Sequence, residues 1–439
     1  MFSRKALTRL IIPLVIEQLL AVTIGMADTV MVASVGEAAV SGISLVDSIN
    51  ILLINIFSAL ATGGAIVSSQ YIGRGDNRSA CDSAKQLLYA VTILSSVIMA
   101  LCLVGQFWIL EAIFGQAEAD VMANAHTYFW LSALSYPFLG IYNSGAALFR
   151  AMGNSKISMF TSILMNLINV GGNAVLIFGF HMGVAGAAIA SLVSRAIGAV
   201  IMLVLLRNRN SLIHVERLFH PEFNLGMIKN ILRIGVPNGL ENGMFQIGKI
   251  LVQGLIAALG TAAIAANAVA GNVAMIAQIP GSAIGLAMIT VVGQCIGAQE
   301  YDQAKKYMLK LTGVAYLAMG ALNLIVLCFM GPVIGIFQLQ PETVGLATEV
   351  LFWQSICCLV LWPAAFVLPN GLRAANDVKF TMLVSIFSMW IFRIGFSYLL
   401  TPMFGVLGTW IAMWIDWVVR IILFAWRLFS NRWRNRQII

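Results

Sequence analysis

Long apolar runs separated by short polar segments set the rhythm of the chain. Twelve such runs can be read, at about 10–34, 44–71, 86–110, 124–148, 158–179, 184–206, 229–259, 266–296, 307–330, 346–371, 379–401 and 405–428. A helix needs roughly 20 apolar residues to cross a hydrocarbon core of ~30 Å, and most of these runs are that long. Only helices and closed barrels satisfy their backbone polar groups in lipid, and the runs lack the alternation of barrel strands. The pattern predicts an all-α polytopic membrane protein with twelve transmembrane helices.

Composition agrees. Of the 439 residues 60% are apolar and 10% are charged, with a mean hydropathy of +0.91. A soluble protein of this length would carry far more charge. The distribution of the basic residues gives the topology. If the N-terminus is inside, the cytoplasmic segments hold 22 of the 26 Lys and Arg, the external loops hold none, and one external loop, "EAIFGQAEAD", is acidic. The net charge of +8 then follows from the positive-inside rule rather than from a nucleic-acid surface. The expectation is a multi-pass protein of the plasma membrane, both termini cytoplasmic, acting as a monomer. Five of the six cysteines lie in apolar runs and Cys81 in a cytoplasmic segment, which gives no disulfide framework or metal spacing.

The chain is written twice. At a shift of 224, Pro13 falls on Pro237, Glu17 on Glu241, Gly36 on Gly260, and "QYIG" from Gln70 on "QCIG" from Gln294. At 223, "RAMGNSK" from Arg150 overlies "RAANDVK" from Arg373, and at 222, "GVAGAAIA" from Gly183 overlies "GVLGTWIA" from Gly405. Each copy has an even number of helices, so the copies enter the membrane in the same direction, as in transporters with parallel repeats. This predicts an N-terminal six-helix lobe at 1–206, a cytoplasmic linker at 207–228 and a C-terminal six-helix lobe at 229–439. Two such pseudo-symmetric bundles around a central cavity would work by alternating access.

"GLENGMFQIGK" contains G-x-x-x-x-G-K, but Ile250 follows the lysine where a phosphate loop needs Ser or Thr, and both flanks are helical. No nucleotide site is expected, no cofactor is implied, and the chain is not read as an enzyme. Any pumping must draw on an ion gradient or a partner.

Ionisable groups at membrane depth are costly and invite a functional reading. Asp28, in "GMADTVMV", lies on the outer half of the first helix. Glu17, eleven residues earlier, differs from it by only about 20° around the helix, and small residues near that face leave room for water or a ligand. Burial brings a carboxylate's proton exchange toward neutral pH. Asp28 could therefore trade a proton or, if sodium is the coupling ion, hold the metal with oxygens from Asn173, Asp47 and Asn50. The alternative is a carboxylate satisfied by polar side chains of neighbouring helices. Glu17 and Glu241 either line a substrate cavity together or each support the packing of their own lobe. Lys249 is either a built-in counter-ion, displaced by an entering cation, or the partner of a carboxylate on another helix. Tyr142 and Gln253 complete the expected substrate cavity, with Phe245, Met275 and Trp362 as apolar lining. Asp416 and Arg420, four apart, suit an intrahelical ion pair, and with Arg393 they form an expected structural network.

"IPLVIEQLLAVTIGMADTVMVASVGEAAVSG", with "VVGQCIGA" in the second copy and "LFRAMGN" and "GLRAAND" after helices four and ten, resembles the MATE (multidrug and toxic compound extrusion) transporters over essentially the whole chain. The resemblance implies an antiporter that exports amphipathic, mostly cationic organic compounds in exchange for sodium or protons, with Asp28 in the coupling role. Where the DinF-like branch has a second acid in the fifth helix, this chain has Asn173. The acids of the NorM-like branch fall about a turn from Glu241 and near Trp362 and Pro363. The competing class is a flippase for a lipid-linked or anionic precursor, which the bases Lys249, Arg393 and Arg420 would suit.

Overall fold

The computed structural model describes residues 2–436, including every side chain among them except those of Ile24, Met26 and Thr29. The described residues are helical almost throughout, with no strand among them. The first copy of the repeat comprises α1 (Arg4–Ala33), α2 (Glu37–Arg74), α3 (Asn77–Phe114), α4 (Ala119–Leu134), α5 (Tyr136–Ala151), α6 (Ser155–Gly179) and α7 (Gly183–Leu206). The second comprises α8 (Leu225–Ala257), α9 (Thr261–Gly297), α10 (Tyr301–Cys328), the short α11 (Met330–Gly335), α12 (Pro341–Ala374), α13 (Val378–Phe404) and α14 (Val406–Phe429).

Ten segments among the described residues are long and apolar enough to cross a bilayer. The remaining two apolar runs of the sequence explain the difference from twelve. The run at 124–148 is divided at Ser135 into α4 and α5, each of 16 residues and too short alone. Pro137, at the start of α5, has no N–H to continue the ladder. The run at 229–259 falls on the 33-residue α8, which ends at Ala257 and in which Asn238, Glu241, Asn242, Gln246 and Lys249 lower the hydropathy. Apolar side chains face outward, as lipid requires: on α3, Leu101, Val104 and Trp108 form a stripe in which Val104 is 88% exposed. The chain is an all-α polytopic membrane protein.

The residues form two compact units, Arg4–Gly239 and Leu240–Ile439 with Met1–Ser3. The packing boundary thus falls inside α8, beyond the repeat boundary expected at residue 229. Two contacts explain this. The first turns of α8 lie so close to α2 that a Cβ on Gly63 would come within 2.7 Å of the Ile231 carbonyl oxygen. The linker is tied to α3: Gln86 Nε2 donates to the Glu222 carbonyl (2.7 Å), and the Tyr89 hydroxyl to that of Leu218 (2.7 Å).

The duplication is legible in the backbone. Gly36 and Gly260, which precede α2 and α9, have φ of 140° and 100°, a region that disfavours other residues. After α5 and α12, Gly153 and Asn376 are both left-handed, at 79° and 68°. There Gly153 N–H donates to Arg150 O (2.8 Å) and Asn376 N–H to Arg373 O (3.0 Å), closing the two helices in the same way. Both α6 and α13 carry a π-helical stretch, at Ala174–Gly179 and Ser388–Gly395. Such bulges frequently occur at functional sites.

Candidate functional site

In the first unit, five helices converge on a cavity of about 160 Å³ lined by Asp28, Asp47, Tyr128, Asn173 and Ser191 among others. Asp28 comes from the last turns of α1. Asn169 and Asn173 lie one turn apart at the end of the regular part of α6, just before its π stretch, and so share a face. Asn173, 1% exposed, donates from Nδ2 to Asp28 Oδ1 (2.7 Å). The Asn169 amide is best oriented with its oxygen accepting from Ser191 Oγ (2.9 Å), which turns its nitrogen to Asp28, 2.7 and 3.0 Å from the two carboxylate oxygens. Asp28 thereby receives donors from two asparagines.

Asp47, on α2, shares the cavity. Its Oδ1 accepts from Asn50 Nδ2 (3.1 Å), one turn along the helix, and Tyr128 of α4 is hydrogen-bonded to the same carboxylate. Asn50 is fixed in turn by the Tyr136 hydroxyl, 2.8 Å from its Oδ1. Arg195 of α7 lies near enough to attract both carboxylates, and its Nη1 donates to Ser135 Oγ (2.6 Å) at the break between α4 and α5. Two acids against one base leave the cavity suited to a cation. The oxygens of Asp28 and Asp47 and the Asn173 Oδ1, which is buried without a hydrogen-bond partner, are hard ligands of the kind an alkali cation takes. Among the described residues, no three His, Cys, Asp or Glu side chains come together for a metal ion.

The structure therefore brings Asp28, Asp47, Asn50 and Asn173 together. Sequence reasoning did not find Tyr128, Tyr136, Asn169, Ser191 or Arg195. Asn169 was accessible, one turn before Asn173, and Arg195 was the one intramembrane base of the first copy. The tyrosines join the site through long-range packing, which no local spacing signals. Gly25 lines the cavity, and a Cβ built there meets nothing within 4 Å. Gly25→Leu should fill this space: coupled transport falls at least tenfold in reconstituted vesicles, while the thermal midpoint in detergent stays within about 2 °C of wild type.

Glu17 lies elsewhere. It is 8% exposed, accepts from Ser158 Oγ at 2.9 Å and lies 3.6 Å from Arg150 Nη1. Tyr142, near this pair, is hydrogen-bonded to Ser162. In the second unit Glu241, 5% exposed, is 2.6 Å from Arg373 Nη2. The two pairs occupy the same place in the two copies, and each ties the first helix of its copy to the end of the fourth span.

The remaining charges of the second unit gather around Phe245. Lys249 Nζ lies 5.2 Å from its ring centre, Arg393 Cζ 5.3 Å and Arg420 Cζ 5.6 Å. Asp416, fully buried, is 2.8 Å from Arg420 Nε and accepts at Oδ1 from the Ser388 hydroxyl. Arg393, Asp416 and Arg420 thus form one cluster, and Phe245 is its unforeseen centre. Lys249 makes no ion pair among the described residues; together with Gln253, Asn267, Arg393 and Trp410 it lines a second cavity, of about 240 Å³. Trp362 is stacked on Phe366, ring centres 5.1 Å apart.

Comparison with known proteins agrees with the doubled architecture. The MatE family model matches the chain twice, over residues 13–175 and 237–399, at the spacing of the internal repeat. The chain is 28% identical over 436 residues to the uncharacterized transporter YisQ of Bacillus subtilis, covering 97% of this chain and 92% of that protein. It is 24% identical over 446 residues to the probable multidrug resistance protein NorM of Thermotoga maritima, covering 99% and 94%. Its fold matches, with a TM-score of 0.89 and 20% identity over 98% of this chain and 96% of the other, a structure described as the outward-facing conformation of a multidrug resistance MATE family transporter. With both copies matched and nearly the whole length shared, the chain belongs to the MatE family, the multidrug and toxic compound extrusion transporters.

Proposed function

We propose that this protein is a secondary active antiporter that exports amphipathic organic cations in exchange for protons or sodium, by alternating access. The observation that carries the proposal is the first-unit cavity, in which Asp28 and Asp47 face one space and, among the described residues, Arg195 is the base that offsets them. A carboxylate pair of this kind is stabilised by any cation that enters. The coupling ion and the organic cation then compete for the same charge, directly or through the helices that carry it, and that competition is what an exchanger requires. Asp28 takes the coupling ion, with Asn169 and Asn173 positioning its carboxylate. Asp47, held by Asn50 and Tyr128, supplies the second negative charge. If the ion is sodium, Asp28, Asp47 and Asn173 provide oxygens for it. Glu17 and Glu241 brace the entry helix of each copy. The protein works as a monomer in the plasma membrane with both termini cytoplasmic, in line with the concentration of Lys and Arg in one set of connecting segments.

The names of the NorM relatives are in keeping with this reading. A second reading, a flippase for a lipid-linked or anionic precursor, draws on Lys249 and Arg393 in the second cavity. Proteoliposomes holding the wild-type protein separate the two. A fluorescent organic cation should accumulate when a proton or a sodium gradient is imposed, and the effective gradient names the ion. No cation movement under either gradient, with a labelled anionic lipid moving instead, would decide for the flippase.

A further inference from the structure

The two cavities occupy equivalent places in the duplicated chain, and their polarity is reversed. At the shift of 224, Gly25, Asp28, Ile43 and Asp47 of the first cavity fall on Lys249, Val252, Asn267 and Gly271 of the second. At 222, Ala187 falls on Thr409. Both acids of the first site have become apolar or absent in the second, and a glycine has become a lysine. Arg393 adds a further base from the π stretch of α13, the helix that corresponds to α6. Among the described residues, no carboxylate lines this second cavity.

The bases there are not spent on partners. Lys249 makes no ion pair among the described residues and meets only the Phe245 ring. The Arg393 Nε is buried without a hydrogen-bond partner. The nearest acid to Arg393 is Asp416, which is already bound by Arg420 and Ser388, so three cations around Phe245 face one carboxylate. A buried excess of positive charge is costly unless an anion offsets it. The remaining walls combine the apolar and aromatic Val252, Ile256, Met413 and Trp410 with the polar Gln253, Asn267 and Thr409, and the Trp410 indole N–H is held by Asn267 Oδ1 at 3.1 Å.

We infer that the second-unit cavity binds the carboxylate of an amphipathic aromatic compound, Lys249 and Arg393 taking the anionic group and Trp410 the ring. The inference rests on the reading of the protein as an exporter of organic compounds, and widens its cargo from cations to aromatic acids and zwitterions. A carboxylate fits because its two oxygens accept from the ammonium and from a guanidinium edge at once, and its charge offsets part of the positive excess.

The test is equilibrium binding, which needs no gradient and so stands apart from the transport reaction. Wild type, Lys249→Met, Lys249→Arg and Asp28→Asn are placed in phosphatidylcholine nanodiscs. The probes are 2-naphthoate and, for the first cavity, 2-naphthylmethylammonium. Naphthoate should bind wild type, at least tenfold more weakly to Lys249→Met, and within about threefold of wild type to Lys249→Arg and Asp28→Asn. The ammonium probe should lose affinity in Asp28→Asn only, and its behaviour reports on the cation site whatever naphthoate does. Naphthoate affinity unchanged by Lys249→Met overturns the inference. So does wild-type protein that takes no naphthoate but captures phosphatidylglycerol added to the discs, which would assign the cavity to a lipid headgroup.

Discussion

Asp28→Asn should reduce gradient-driven transport by about a hundredfold, the equivalent of the loss of about 3 kcal/mol of charge interaction with the coupling ion. The substitution keeps the size of the side chain and removes its charge. It also replaces an acceptor-only group by an amide, so that one of the donors from Asn169 and Asn173 meets an N–H instead of an oxygen. Flux of a fluorescent organic cation in proteoliposomes gives the readout, with the thermal midpoint as the control for folding. Asp47→Asn should cost less, because Asn50 and Tyr128 already meet that carboxylate and Asp28 keeps its charge. Transport by Asp28→Asn at the wild-type rate, with the same gradient dependence, would leave the site without a role.

The second large effect concerns the ion pair of the second unit. Arg373→Met should destabilise the protein by about 3–5 kcal/mol, since it strands a buried charge. Glu241 is 5% exposed, and its Oε2 has no hydrogen-bond partner even with Arg373 present. A loss of that size lowers the melting midpoint of a unit of this length by about 10 °C. Adding Glu241→Leu removes the stranded carboxylate, and the double variant should recover most of the midpoint. Arg150→Met should cost less in the first unit, where the Glu17 pair is looser, at 3.6 Å, and Ser158 also donates to the carboxylate. A double variant no more stable than Arg373→Met alone would mean that Arg373 acts through other contacts, such as its 2.7 Å bond to Asn370 Oδ1.

Membrane spans and duplication are legible in the sequence because each follows from a local or periodic rule. Run length marks helices that must satisfy their own backbone in lipid, and identical residues at a shift that drifts only from 224 to 222 mark the copies. The rule fails where polarity or a break intervenes, as in α8 with its internal Glu241 and Lys249, and at Ser135 between α4 and α5. The site was legible for Asp28 and Asp47, since an acid at membrane depth stands out in an apolar run, and for Asn50 and Asn173 as oxygen donors in the same half of the same copy. Tyr128 and Tyr136 were not, because an aromatic hydroxyl in a greasy helix looks like packing until its partner across the bundle is known. The same limit applied to Glu17 and Lys249. Helical phase set Glu17 on the face of Asp28, yet Arg150 and Ser158 determine its surroundings. A lysine at membrane depth suggests an acid on another helix, yet Lys249 makes no ion pair among the described residues and lies against the Phe245 ring. Charges report their depth in the sequence, whereas their partners depend on how distant helices meet.

If an organic cation and the coupling ion exchange at the Asp28 site, binding of the one must release the other. Detergent-purified protein is loaded with ²²Na⁺, or held in a weakly buffered solution with a pH dye, and an organic cation is added. Wild type should release sodium or protons as the organic cation binds, and Asp28→Asn should release neither. Binding of the organic cation to wild type with neither ion released would contradict it.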